Sequence, residues 1–192
     1  TYTGGVVGQT LAGTSISECY NGGSITASKG SVGGVAGYTA GCKVNSCYNV
    51  GPVNCTAAAG NVGGIVGWFT GTVNLENSYN AGSVSGGKTI GAISGIGVDT
   101  QLVNCYYLIG TAQYASGTKN FVGTSKSADE MKSELFVKTL GEAFKADEDG
   151  LNGGFPVLAW QSAKHEHSYT ADVTAPTCTE RGYTTHTCSC GE

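Results

Sequence analysis

Apolar residues in the first part of the chain come in short runs that end at glycine or asparagine, with no helical stripe among them. Val32 to Tyr38, Val44 to Tyr48 and Val53 to Ala57 are built from Val, Ala, Thr, Asn, Ser, Tyr and Gly. This pattern predicts short extended segments separated by turns. Leu, Glu, Lys and Arg are scarce here, and glycine and β-branched residues sit poorly inside helices, so helical repeats are excluded.

The pattern recurs. Gly4-Gly5-Val6-Val7-Gly8, Gly33-Gly34-Val35-Ala36-Gly37, Gly63-Gly64-Ile65-Val66-Gly67 and Gly91-Ala92-Ile93-Ser94-Gly95 start 29, 30 and 28 residues apart. Each is followed by a second block: Cys19-Tyr20-Asn21, Cys47-Tyr48-Asn49, Ser78-Tyr79-Asn80 and Cys105-Tyr106-Tyr107. A fixed period in this range reads as a solenoid. Three short strands per copy make one coil of a parallel β-helix, each strand pairing with its counterpart about 4.8 Å away. The expected fold is therefore an all-β repeat protein, a parallel β-helix of about four coils. Right-handedness is expected from the preference of parallel crossovers. Stacking predicts columns of like side chains. Val6, Val35, Ile65 and Ile93 form one inward column; Ile16, Val44, Leu75 and Leu102 a second; Ile25, Val53 and Val84 a third. Tyr20, Tyr48, Tyr79 and Tyr106 predict an aromatic ladder, and Asn21, Asn49 and Asn80 an amide ladder at a corner.

These units resemble the GLUG-motif repeats of bacterial surface proteins, on the strength of Val62-Gly63-Gly64-Ile65-Val66-Gly67 and Asn77-Ser78-Tyr79-Asn80-Ala81-Gly82. The resemblance covers roughly residues 4 to 110. It implies a secreted or surface-anchored bacterial protein, adhesin-like or the non-catalytic part of an extracellular protease, and it carries over no catalytic residue. The fourth copy departs at Ala92, Ser94 and Tyr107, as an end coil does.

Beyond Gly117 the period changes. Ser127-Ala128-Asp129-Glu130 has the form of a capping box. Met131, Leu135, Leu140 and Phe144, with Phe136 beside them, then predict an amphipathic helix from about Ala128 to Lys145. A helix laid over the exposed last coil is the expected cap. Leu151 to Gln161 reads as a loop and final β-segment and is similar to the NGGYPxLxWQ ending of surface repeat arrays, with Trp160 expected to be buried in the cap rather than to stack on carbohydrate. Residues 163–192 resemble the short HxHxYTxxVTAPTCTxxGYTTxTCxCG repeat of Firmicutes surface proteins. Three regions result: a solenoid over 1–117, a capping segment over 118–162, and a truncated Cys/His-containing repeat with a small β tail over 163–192.

Composition supports the division. Of 32 glycines, 25 precede Lys119, whereas only six of the 24 charged side chains do: Glu18, Lys29, Lys43, Glu76, Lys88 and Asp99. A net charge of −4 with the single arginine Arg181 offers no basic surface for nucleic acid or an anionic membrane. No apolar run is long enough to span a bilayer. Thr1 falls within a repeat, so a piece of a longer protein is expected, with other domains of the same chain among its partners.

Cysteine is read in two groups. Cys19, Cys47 and Cys105 share a column with Ser78, which points to small buried positions holding free thiols, while a bridge between Cys42 and Cys55 is left open. In the tail, Cys178, Cys188 and Cys190 stand near His165, His167 and His186. Cys188 and Cys190, one residue apart, share one face of a strand, from which one can reach Cys178 across a hairpin as a disulfide. Zinc on Cys178, Cys188, Cys190 and His167 is the competing reading, against which the spacing of Cys188 and Cys190 counts, and free thiols in a truncated unit are the third.

Catalytic material is sparse. Glu18 and Glu76 fall two coils apart, about 10 Å by the coil spacing. That suits an inverting acid pair, but isolated glutamates on a solvated face serve solubility more often. His165-Glu166-His167 is too short for the zinc-protease helix motif, and no nucleophile elbow, phosphate loop or calcium nonapeptide is present. The expectation is a cofactor-free, non-enzymatic structural or adhesive module at a bacterial surface or secreted from it, with a host or cell-wall glycan or protein as ligand. The alternative is an accessory segment of an extracellular enzyme such as an IgA-peptidase-like metalloprotease.

Overall fold

Four faces, one more than the apolar runs suggest, make up each of the first three turns of the chain. The computed structural model describes all residues except 72, 98–99, 119–122, 162–168 and 189–192. His165, His167, Cys190 and Asp99, singled out in the sequence, lie outside the described residues. In the first face Tyr2–Gly4, Ser31–Gly33, Asn61–Gly63 and Thr89–Gly91 pair in parallel. The second face stacks Val7–Thr10, Ala36–Ala40, Val66–Thr70 and Ser94–Ile96. The third contains Ser15–Ser17 with Tyr20–Asn21, Lys43–Asn45 with Tyr48–Asn49, Val73–Asn80 and Thr100–Leu108, and the fourth Ile25–Ala27, Val53–Cys55 and Val84–Gly86. The result is an all-β, parallel solenoid of about four turns.

The extra strand arises because the first run, Val32 to Tyr38, is cut by a corner at Gly34-Val35. A column of left-handed residues kinks the third face: Glu18, Ser46, Asn77 and Asn104 have φ of 50°, 53°, 47° and 50°. Asparagine tolerates this conformation better than most side chains, and two of the four coils supply it. Asn104 Nδ2 donates to Asn77 Oδ1 at 3.1 Å and Asn77 Nδ2 to Asn45 Oδ1 at 3.0 Å, so the kink carries its own amide chain.

Inside the coil, Val35, Ile65 and Ile93 stack with Val44 and Leu75, all fully buried, around Phe69. Val6 occupies the same column but is 46% exposed, because no coil covers it. A second, smaller core of Val32, Val53, Cys55, Val62 and Val84 lies between the first and fourth faces. Above the fourth coil the chain makes a partial fifth turn. The amides of Ile93 and Ser94 donate to Ala115 O at 2.8 and 3.1 Å, and Thr124–Lys126 pairs in parallel with Tyr106–Leu108. Ala115-Ser116-Gly117 repeats Ile93-Ser94-Gly95 and is its signature in the sequence.

Two short helices replace the single one expected: α1, Ala128–Met131, and α2, Glu134–Leu140. Ser127 caps α1 in a full capping box with Glu130. Ser133 then starts a second cap by accepting from Phe136 N at 3.2 Å, which interrupts the helix, and Phe144–Lys145 pairs as a strand with Val157–Leu158. The break turns Phe136 inward and leaves Leu135 74% exposed. These helices lie along the flank of the solenoid, where the tyrosines are, and the last coil meets residues 115–117 and 124–126 instead.

The chain divides into two units, Thr1–Gln161 and Ser162–Glu192. In the second, Tyr169–Thr174 and Tyr183–Cys188 form an antiparallel hairpin with Tyr169 opposite Cys188 and Thr174 opposite Tyr183.

Candidate functional site

Tyr20, Tyr48, Tyr79 and Tyr106 stand in register on the outside of the third face. Their rings stack: centroids of Tyr20 and Tyr48, and of Tyr48 and Tyr79, are 5.1 Å apart. Beside them Asn21 Nδ2 donates to Asn49 Oδ1, and Asn49 Nδ2 to Asn80 Oδ1, each at 2.7 Å. The glycine motif meets the Tyr-Asn motif here. A Cβ on Gly34 would lie 2.5 Å from Asn49 Cγ and 2.1 Å from Gly64 O; one on Gly64 would lie 2.4 Å from Asn80 Cγ and 2.0 Å from Ala92 O. In the fourth coil Tyr107 replaces the asparagine, and there Ala92 replaces the glycine. The two halves of each repeat, well apart in sequence, are thus one packing unit.

Residues 127–161 clasp this ladder. Phe136 meets Tyr106 and Tyr79 edge-on at 5.1 and 6.0 Å, and Phe144 reaches Tyr79 and Tyr48. The hydroxyls are read individually. Tyr48 donates to Gln161 Oε1 at 2.9 Å, Tyr79 donates to the Pro156 carbonyl, and Asn152 Nδ2 donates to Tyr79 Oη at 2.9 Å. Asp147 holds the intervening loop, its carboxylate accepting from the amides of Leu151, Asn152 and Gly154 at 2.7 to 2.8 Å. Burial pushes the Tyr48 hydroxyl up to about 12 and raises that of Tyr79 well above its ordinary value. The polar ends of the 152–161 segment therefore exist to satisfy buried phenols. Sequence alone marked its apolar residues and missed this role.

Trp160 is not buried as expected. It is 58% exposed, its indole N–H donates to Glu18 O at 3.2 Å, and its ring tilts against Tyr20 at 6.1 Å. The clasp sits on a flank and runs past the ladder to its first rung, where Trp160 lies at the side of Tyr20.

A second aromatic group lies on the outer side of the first two faces. Tyr38 and Trp68 are in register, Tyr2 stacks on Tyr38 at 4.6 Å, and Tyr38 meets Trp68 edge-on at 5.2 Å. All three are half-buried. Ser31, Asn61 and Thr89 run beside them in a hydrogen-bonded row, with Asn61 Nδ2 to Ser31 Oγ at 3.1 Å and Thr89 Oγ1 to Asn61 Oδ1 at 2.7 Å. The signal in the sequence is the residue after each third glycine: Gln9, Tyr38 and Trp68.

Two further acids have structural partners. Glu76 pairs with Lys43 at 3.2 Å, two coils from Glu18, and the Ser127 amide and hydroxyl hold the exposed Glu130 carboxyl below its usual range. Cys47 and Cys105 are buried thiols; desolvation pushes Cys47 up to about 12 and raises Cys105. Cys42 and Cys55 are free thiols in different cores. In the hairpin unit, Cys178 is an exposed free thiol in the loop joining the strands, whereas Cys188 ends the second strand opposite Tyr169. Five residues of strand, about 17 Å, separate Cys188 from the loop end of the hairpin. That geometry separates Cys178 from Cys188 as partners in a bridge. Among the described residues no group of three or more His, Cys, Asp or Glu side chains is placed to hold a metal, and no helix is long and apolar enough to cross a membrane.

Neither a protein-family model nor a characterised protein matches the sequence. Among solved structures the fold is similar to that of a protein described as a "putative immunoglobulin A1 protease from Bacteroides ovatus", with a TM-score of 0.55 and 21% sequence identity. The likeness covers 77% of this chain and 58% of that one.

Proposed function

We propose that this chain is a non-enzymatic module of a bacterial surface or secreted protein, a GLUG-like solenoid that acts as a rigid stalk or binding surface. The observation that carries the reading is the employment of three of its acids: Glu76 in an ion pair, Glu130 in a helix cap and Asp147 in a loop clamp. Catalytic carboxylates need freedom to exchange protons with substrate, whereas these are committed to the fold. A surface that offers aromatic and neutral polar groups is left for recognition, with Tyr2, Tyr38 and Trp68 beside the Ser31, Asn61 and Thr89 row. That chemistry suits a glycan or a protein ligand better than an ionic one. A glycan-array and host-matrix screen tests it. Binding should be lost in Trp68→Ala and Tyr38→Ala with circular dichroism unchanged; binding unaffected by both would remove this surface from the proposal.

The second reading, an accessory non-catalytic segment of an extracellular enzyme, is favoured by the fold likeness to the Bacteroides ovatus protein. A zinc-protease motif elsewhere in the same polypeptide would support it, and further repeats with a wall anchor would support the first.

A further inference from the structure

The loop inside the clasp turns on an Asn-Gly pair, and two separate demands of the fold place it there. In Asn152 to Phe155 the Phe155 amide donates to Asn152 O at 3.2 Å, and both central residues, Gly153 and Gly154, have positive φ, 61° and 88°. That turn calls for glycine directly after position 152. Position 152 itself calls for an amide: its Nδ2 donates to Tyr79 Oη at 2.9 Å and to the carbonyls of Pro156 and Phe155 at 3.2 and 3.3 Å. Asparagine followed by glycine is a reactive pair, because no Cβ shields the glycine nitrogen from the asparagine Cγ. The nitrogen is also unengaged here. Asp147 takes the amides of Leu151, Asn152 and Gly154 and leaves that of Gly153 without a partner among the described residues. What opposes reaction is the side chain's own bonding, since Nδ2 cannot depart without giving up its contacts to Tyr79, Phe155 and Pro156.

From this arrangement we infer that Asn152-Gly153 is a self-modification site that the closed clasp holds in check and that, once reacted, keeps the clasp from closing again. The Gly153 nitrogen attacks Asn152 Cγ, and the new N–C bond closes a succinimide ring as the Cγ–Nδ2 bond breaks. The Gly153 amide proton leaves with Nδ2 as ammonia. Water then adds to one of the two ring carbonyls and opens the ring to aspartate or to isoaspartate. Water is the only co-reactant. Both products oppose the turn. Tyr79 already gives its one hydroxyl proton to Pro156 O, so a carboxylate at 152 brings oxygen lone pairs and no proton to a site made of acceptors. The new charge also lies beside Asp147, whose carboxylate accepts the Asn152 amide at 2.8 Å. Isoaspartate in addition lengthens the main chain by one carbon within the turn. A chain whose clasp has opened for long enough is thereby marked, whatever the module binds or accompanies.

The test incubates the full chain at mildly alkaline pH and follows, by mass spectrometry after digestion, the peptide that contains Asn152. Conversion of the amide to an acid raises its mass by about 1 Da. The folded chain should convert at Asn152 more slowly than the same chain in guanidinium chloride by about tenfold or more. Phe136→Ala should narrow that gap several-fold, and Gln161→Ala, a milder loosening of the clasp, should act in the same direction. Asn21-Gly22, the other Asn-Gly pair of the chain, should respond less to either. Adding Gly153→Ala to Phe136→Ala should restore slow conversion, because a Cβ obstructs the attack. Asn152→Asp, which installs the product directly, should speed amide exchange at Phe144–Lys145 and Val157–Leu158 while Val35, Ile65 and Ile93 keep theirs. Conversion as fast in the folded chain as in guanidinium chloride, or no faster in both loosened variants than in the original, would overturn the inference. So would an Asn152→Asp chain whose clasp exchanges as slowly as the original.

Discussion

Asn49 accepts from Asn21, donates to Asn80 and to Gly51 O, and lies directly under Gly34, all within a fully buried site. Replacing it by leucine removes one hydrogen bond each from Asn21, Asn80 and Gly51 O; Asn21 Nδ2 keeps Gly23 O and Asn80 Oδ1 keeps the Gly82 amide, so each loss costs about 0.5–1.5 kcal/mol. Asn49→Leu should therefore lower the urea midpoint sharply at unchanged slope, whereas Lys29→Ala, at an exposed position, should not. Gly64→Ala meets backbone as well as side chain, so an Asn80→Ala companion should not restore it; overpacking of this kind costs about 1–3 kcal/mol or more. The columns were legible because stacking makes like residues neighbours. The link between Gly34 and Asn49 was not, because it needs the third dimension to bring the corner of one motif over the side chain of another. Titration gives a second check. Tyr48 and Tyr79 ionise in the folded state above their ordinary value of about 10, as Cys47 does above about 8.5, because burial disfavours the charged forms. The unfolded chain then loses protons first as pH rises, so stability is complete below the ordinary thiol and tyrosine values and falls through a window that, for Tyr48 and Cys47, ends near 12. Denaturant midpoints measured from neutral to alkaline pH should decline across that window.

The clasp is the element whose presence could be read in the sequence and whose position could not. Ser127 to Glu130 announced a helix start, and Asn152 to Gln161 a final segment, but a cap over the last coil and a clasp along the flank require the same apolar residues. What separates them is the partner: the tyrosine ladder points outward and needs covering, while residues 115–117 and 124–126 already lie on the fourth coil. Gln161→Ala should strip Tyr48 of its acceptor and Asn152→Ala should remove the donor to Tyr79. Each should cost about 1–3 kcal/mol, and Phe136→Ala, emptying a larger site, about 3–5 kcal/mol. Amide exchange at Phe144–Lys145 and Val157–Leu158 should accelerate in all three, with the central coils less affected. The helix break at Ser133 was hidden for a local reason: a serine reads equally as a helix interior residue or as a cap, and only Phe136 turning inward decides for the cap.

At the scale of the whole molecule, a charge-poor solenoid is joined to a clasp that commits Glu130 and Asp147 to structure, and a separate hairpin unit follows with one buried residue, Cys188, among those of its two strands. An isolated two-stranded hairpin is marginal in water. Its amides should exchange well before those of Val35, Ile65 and Ile93, and hydrogen exchange read residue by residue will show whether they do. The period of the repeat made the architecture readable from residue types alone; function was less so, since the outward aromatic group and the commitments of Glu76 and Asp147 depend on which side chains face one another. The reading of the chain as a non-enzymatic module is tested most directly by incubating the purified protein with polysaccharides, host glycans and immunoglobulin A and following the products by mass spectrometry. The account predicts that every substrate is recovered intact, whether or not it binds. Reproducible turnover that disappears in Glu18→Gln or Glu76→Gln would contradict it.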